Sequence, residues 1–182
     1  MKSMPSTDDQ TASAKPVVLV LMGVSGSGKT TVGTLLAERL GWAYEEGDSL
    51  HPKANVEKMA AGHPLNDEDR WPWLEKVAAW AEQRIEANEN GVITCSALKR
   101  SYRDLINRAG VGILFVYLQG DKQLIAERLA ARHGHFMPPS LLDSQFADLE
   151  EPADDEPCLR VHIGAPPAAI VNTIVAELDL ER

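Results

Sequence analysis

Basic residues are scarce in this chain. Lys and Arg number 18 against 27 Asp and Glu, a net charge of −9 at pH 7 over 182 residues. Such a surface repels a phosphate backbone, which excludes generic nucleic-acid binding. It also means that any anion site must gather its few cations locally. Cysteine is nearly absent. Cys95 and Cys158 form no CxxC or zinc-ligand spacing, and each sits in an apolar run, so two buried reduced thiols are expected rather than a disulfide. No apolar stretch reaches the roughly 20 residues that cross a bilayer. Met1 to Lys15 is polar and lacks the apolar block of a secretory signal, so it reads as a disordered leader, and the chain as cytoplasmic with no membrane partner. There is no internal repeat and no dividing linker. Residues 16–182 are expected to form one domain with a substantial core.

Three features of GTP-driven switches are also missing: N-K-x-D, a D-x-x-G after a strand, and room for switch regions. Nor do four apolar residues run into Asp, as in an ordinary Walker B; the third strand runs into Cys95-Ser96-Ala97 instead. What is present is Gly23-Val24-Ser25-Gly26-Ser27-Gly28-Lys29-Thr30, a match to G-x-x-x-x-G-K-[ST]. Val17 to Met22 before it is an unbroken apolar run, as in a parallel strand buried on both faces. After it, Val32, Leu35, Leu36 and Leu40 recur at helical spacing, and Gly41 supplies a stop. Strand, glycine loop and helix together make a phosphate cradle. Backbone N–H groups and the helix dipole converge on one anion, Lys29 reaches the β- and γ-phosphates, and the Thr30 hydroxyl is placed for Mg²⁺. Thr31 is placed for the α-phosphate, or is an ordinary first-turn residue.

The rest of the chain alternates strand and helix. Strands are expected at Trp42–Tyr44, Gly91–Cys95, Val111–Leu118 and Leu159–Ile163. Helices are expected from Pro52 to Met59, from Pro72 through Trp80 and Ala81, and from Lys99 to Asn107. Others run from Asp121 to Arg132, from Leu141 to Leu149, and onward from Pro167. This pattern predicts an α/β three-layer sandwich with a parallel five-stranded sheet and right-handed crossovers. Ligands then bind at the carboxyl ends of the strands.

Several blocks at those ends resemble gluconate kinases, P-loop kinases of small molecules. They are Gly47-Asp48-Ser49-Leu50-His51-Pro52, Asn55 to Met59, Pro64 to Arg70 with Pro72-Trp73-Leu74, Cys95 to Lys99 with Tyr102-Arg103-Asp104, and Gly134-His135-Phe136. The similarity runs from about Val18 to Pro152. It implies phosphorylation of D-gluconate at its 6-hydroxyl by ATP with Mg²⁺, a fold like adenylate and shikimate kinases, and commonly a homodimer. It also implies an acceptor-binding insert over about 48–88 and a lid over about 133–140. One departure stands out: many relatives have Asp-x-Asp at the end of the second strand, where this chain has Glu46-Gly47-Asp48. Glu46 is the candidate to hold Mg²⁺ through water beside Thr30. The alternatives are another small-acid kinase of this fold, shikimate-kinase-like, or a nucleotide switch without turnover.

Each candidate residue also has a plainer account. Asp48 suits orienting the acceptor hydroxyl and taking its proton, and is compatible with capping the helix at Pro52. His51 suits a sugar hydroxyl, or a cap. Arg70, Lys99 and Arg103 are the cations for a carboxylate. Lys99 is favoured by its place after the third strand, whereas Arg70 has acidic neighbours at Asp67 and Glu68. Arg128 and Arg132, four apart on one helix, suit a lid closing over the transferring phosphate; Arg128 could instead pair with Glu127 or Asp121. His133 and His135 have no third ligand nearby and are not read as a metal site. Trp73 and Trp80 are read as core. Adenine is expected against Gly164-Ala165-Pro166.

Overall fold

Strand β1, Val18–Met22, has all five residues at 0% exposure, because both faces of the sheet are covered. Its side chains alternate between two cores. Leu19 and Leu21 join Val32 and Leu36 on one side, with Ile170 and Ile174 beyond them. Val18, Val20 and Met22 face Trp73, Leu74, Val77 and Tyr102 on the other. The computed structural model describes residues 15–131 and 139–180. Around β1 the sheet runs β2-β3-β1-β4-β5, all parallel, with β2 Ala43–Glu46, β3 Gly91–Thr94, β4 Ile113–Gln119 and β5 Cys158–His162. One side is covered mainly by α1, Lys29–Leu40, and α7, Pro167–Leu178. The other is covered by α3, Asp67–Glu86, and α4, Arg100–Ile106. Helices α2, Lys53–Ala60, α5, Lys122–Ala130, and α6, Pro139–Asp148, complete the set, and a 3-10 turn, Gly47–Leu50, follows β2. This is the three-layer sandwich that the alternation predicts.

Helix starts expected at Lys99, Asp121 and Leu141 fall within two residues of the observed ones, at Arg100, Lys122 and Pro139, and two others differ at a proline. Pro52 is the cap before α2 rather than its first residue. Helix α3 begins not at Pro72 but at Asp67, because Asn66 and Asp69 form a reciprocal capping box. Pro72 lies inside α3, where it forgoes the bond to the carbonyl of Glu68, an exposed first-turn residue. The thiols of Cys95 and Cys158 are both free, Cys95 buried and Cys158 half-buried. Burial pushes the Cys95 thiol up to about 12, so it is no nucleophile at neutral pH.

Arg103 is structural rather than a substrate ligand. It is 1% exposed and donates to both carboxylate oxygens of Glu156, at 2.6 and 3.2 Å, and to the carbonyls of Ala97 and Leu98. These bonds pin the segment before β5 onto the start of α4. Burial opposes the charge on Glu156, but bonds from Arg103 and the Ala153 N–H outweigh it and hold the carboxyl below its usual range. Glu156→Gln leaves Arg103 an unbalanced buried charge and is expected to lower stability by about 3 kcal/mol or more, measured by urea unfolding. A depressed folded pKa stabilises above the unfolded value and stops doing so as pH falls through the folded one. The gap between wild type and variant should therefore narrow below about pH 4. A constant gap down to pH 3 would refute the ion pair.

Candidate active site

The loop after β1 turns back on itself because its glycines allow it. At Gly23, φ is +146°, and a Cβ would sit 2.8 Å from Ser27 Oγ and 3.0 Å from the Leu118 carbonyl. Gly28 then opens α1 with no side-chain cap, so the first-turn N–H groups and the dipole face outward together. Gly23, Val24 and Ser27 form the base of the loop. Ser25, Gly26, Gly28, Lys29, Thr30 and Thr31 line a cavity of about 860 Å³. Lys29 Nζ donates to the carbonyls of Gly23 and Val24 at 2.9 and 3.0 Å. On the outer side, Gln145 of α6 holds Ser25 at two points, its Oε1 accepting from the backbone N–H and its Nε2 donating to Oγ.

Across the same cavity stand Glu46, Asp48, His51 and Arg70. Thr30 Oγ1 donates to Glu46 at 2.9 and 3.1 Å, and the Tyr44 hydroxyl donates to Glu46 Oε1. Burial, with Glu46 beside it, pushes the Tyr44 hydroxyl well above its ordinary pKa and keeps it a donor. Asp48 is open, its side chain 72% exposed, on a turn fixed from behind. Gly47 packs so tightly that a Cβ would fall 1.7 Å from the Thr94 carbonyl, and its own carbonyl accepts from Trp73 Nε1 at 2.8 Å. His51 stacks on Trp73 with ring centroids 3.9 Å apart, its Nε2 4.0 Å from Asp48 Oδ1. Burial first, and then Arg70, lower its pKa to about 4 against the pull of Asp48, so the ring is neutral at pH 7.

The three expected carboxylate-binding cations separate. Arg70 reaches the cavity, steadied by the Tyr102 hydroxyl at 2.7 Å and by Asp148 of α6 at 3.5 Å. Its acidic partner is thus neither Asp67 nor Glu68. Lys99 does not reach the cavity. It donates to Asp67 at 3.1 Å in a shallow depression alongside, and this bond raises its pKa. Arg103 is buried with Glu156, as above. Arg128 pairs with neither Glu127 nor Asp121: it donates to the carbonyl of Ile163, just before Gly164. Arg132, like His133 and His135, lies outside the described residues, as do residues 1–14 of the expected leader and most of the expected lid. Among the described residues no cluster of three or more His, Cys, Asp or Glu could hold a metal, and no helix is long and apolar enough to cross a membrane.

Sequence reasoning missed Tyr44, Asn55, Tyr102 and Gln145 as site residues and took Trp73 for core alone. A buried indole N–H needs an acceptor, which was a usable signal for Trp73. Asn55, four residues after His51 on the same helical approach, was another. Gln145 carries none.

A phosphate loop at the end of the central parallel strand, facing a carboxylate and an arginine across one cavity, defines a P-loop kinase of small molecules. A family model described as an AAA domain matches residues 18–152. The gluconokinase of Gluconobacter oxydans is 50% identical over 92% of this chain and 94% of its own length. The thermoresistant gluconokinase of Escherichia coli is 47% identical over 87% and 91%. The crystal structure of a gluconokinase from Sinorhizobium meliloti superposes with a TM-score of 0.82 at 45% identity, covering 90% of this chain and 92% of that one. The chain belongs to the gluconokinase family.

Lys29→Ala is expected to abolish turnover while leaving the far-ultraviolet circular dichroism unchanged, since Lys29 contributes to the loop and not to either core. A folded variant turning over at the wild-type rate would remove the P-loop from the chemistry.

Proposed function

We propose that this chain transfers the γ-phosphoryl group of ATP to the 6-hydroxyl of D-gluconate, giving 6-phospho-D-gluconate and ADP. One observation carries the reading: the phosphate loop, the exposed Asp48 carboxylate and Arg70 line a single cavity. Phosphoryl transfer asks the protein mainly for position and charge. The α1 N-terminus and Lys29 hold the phosphates, and Asp48 orients the 6-hydroxyl and accepts its proton. Arg70 takes the carboxylate at the far end of the acceptor. Thr30 and Glu46 present oxygen donors side by side, a set that suits a hard cation; bound Mg²⁺ would neutralise phosphate charge there. Arg128 belongs on the adenine side, next to Gly164, and Arg132 keeps the part of a lid arginine. The acceptor-binding insert of about 48–88, a homodimer and a cytoplasmic setting complete the proposal. The insert is supported by Asp48, His51 and Arg70, the dimer by the family resemblance, and the setting by two unpaired thiols.

ADP release measured with gluconate, shikimate and no acceptor tests the reading. Release that depends on gluconate supports it; release on shikimate alone, or nucleotide binding with no acceptor-dependent release, overturns it. Asp48→Asn keeps the shape but cannot take the proton, and is expected to lower kcat by about 10² or more with little change in the KM for ATP. A change confined to the KM for ATP would make Asp48 a nucleotide residue.

Specificity provides a separate check. A hydrogen bond to a charged group contributes about 1.5–3 kcal/mol, and 1.4 kcal/mol is about tenfold. Gluconate is therefore expected to exceed glucose in kcat/KM by at least about tenfold, and Arg70→Met to remove most of that preference. Lys99→Met should leave it nearly intact. If Lys99→Met removes the preference and Arg70→Met does not, the carboxylate lies in the neighbouring depression.

A further inference from the structure

His51 occupies an unusual position: its side chain is only 4% exposed, yet it lines the cavity beside Asp48. Its neutral ring can carry its single proton on either nitrogen, and the two forms do opposite things. With the proton on Nε2, the ring offers a donor toward Asp48 and the acceptor. With the proton on Nδ1, it offers a lone pair that competes for the very hydroxyl proton Asp48 must take.

The surroundings decide between them. Asn55 is 4% exposed and places its amide nitrogen 3.1 Å from His51 Nδ1 and 2.8 Å from the carbonyl of Asp69. A carbonyl can only accept, so the end of Asn55 facing Asp69 is its NH₂ group. The same NH₂ faces His51, and an amide nitrogen donates without accepting. His51 Nδ1 must therefore be bare and Nε2 protonated. Trp73 stacked on the ring face fixes its plane. The charged side chains acting on the ring are Asp48 from its own turn and Arg70 from α3.

We propose that Asn55 is a positioning residue for phosphoryl transfer, one that fixes His51 as a neutral Nε2–H donor beside Asp48. The proposal rests on Asp48 as the acceptor-side base. The Nε2–H steadies the attacking geometry of the Asp48 carboxylate and the sugar hydroxyl, and it leaves Asp48 as the sole proton acceptor. Asn55 touches neither reactant in this arrangement.

Two measurements test it. In protein labelled with ¹⁵N at histidine, long-range ¹H–¹⁵N correlation spectra separate the two tautomers, with His51 assigned by loss of its signals in His51→Gln. Wild type should show a bare Nδ1 and a protonated Nε2 that persist to about pH 5. Asn55→Asp, of equal size, replaces the donor with a carboxylate. It should move a proton onto Nδ1 and lower kcat by roughly tenfold to a hundredfold, as loss of the hydrogen-bond partner of a metal-bound histidine does. The KM for ATP should hold. In a His51→Gln background, where no tautomer exists to be switched, Asn55→Asp should cost less than threefold. A protonated Nδ1 in wild type, or an Asn55→Asp penalty of equal size in both backgrounds, overturns the proposal. Failure of the Asp48 reading is distinguishable: Asp48→Asn would then change only the KM for ATP, whatever the tautomer of His51.

Discussion

The acceptor side of this enzyme depends on one close approach, that of Gly47 to Thr94. No side chain fits between them, since a Cβ on Gly47 would lie 1.7 Å from the Thr94 carbonyl. The Gly47 N–H donates to Thr94 Oγ1 at 3.1 Å, and its carbonyl accepts from Trp73 Nε1. Both backbone groups are therefore satisfied, one by the strand below and one by helix α3 beside it. The turn that follows β2 is welded to β3, and Asp48 leaves it in a fixed direction into solvent. The indole that holds Gly47 also stacks on His51. A single buried tryptophan thus ties the backbone at Asp48 to the ring at His51, and Asn55 joins that ring to α3 through Asp69. The Asp48 carboxylate is mobile only at its own χ angles, which suits the role proposed for it, meeting a hydroxyl and a phosphate in line.

The acidity of the chain shapes how its cations are used. Arg70 donates to the Tyr102 hydroxyl, that hydroxyl donates to Asp67, and Lys99 donates to Asp67 from the other side. Two cations a few residues from the same site are held apart by one shared carboxylate and one phenol. Only Arg70 is left facing the cavity. Arg108, bridging Glu75 and Glu82, and Arg100, on Asp155, likewise spend their charge on carboxylates of neighbouring segments. In a chain with 27 acids and 18 strong bases, most cations among the described residues pair with carboxylates. A cation that reaches a cavity despite this has been placed there by its neighbours.

That explains what could be read from the sequence and what could not. The phosphate loop, the parallel five-stranded sheet and the layered fold were legible because hydrophobic period and glycine spacing are local signals. Glu46 beside Thr30 and Asp48 across from the loop followed from lying at strand ends. The choice among Arg70, Lys99 and Arg103 did not follow. Lys99 lies directly after a strand end, and local position favoured it, with Arg103 one helical turn on. Arg70 lies on a helix whose start was misplaced at Pro72, because proline opens helices more often than it sits inside them. The Asn66–Asp69 box that sets the true start was visible in the sequence, but the proline masked it. Glu156, which removes Arg103 from the site, is 53 residues away, and no local pattern links them.

The Glu46-Gly47-Asp48 departure becomes intelligible in the same physical terms. A glutamate reaches one methylene farther from β2 than an aspartate, and an unrestrained longer side chain would be a less exact ligand. Here both of its oxygens are tied: Oε1 accepts from Tyr44 and Thr30, and Oε2 accepts from Thr30. Tyr44 lies two residues earlier on the same strand, so its side chain leaves the same face of the sheet as Glu46. The phenol is held as a donor by burial, which removes the option of an anion there. The extra methylene thus comes with a brace built into the strand, and the carboxylate ends within hydrogen-bond reach of the first turn of α1. Length and restraint are coupled: Thr30 holds both oxygens of the longer acid, and Tyr44 adds a second donor to one of them.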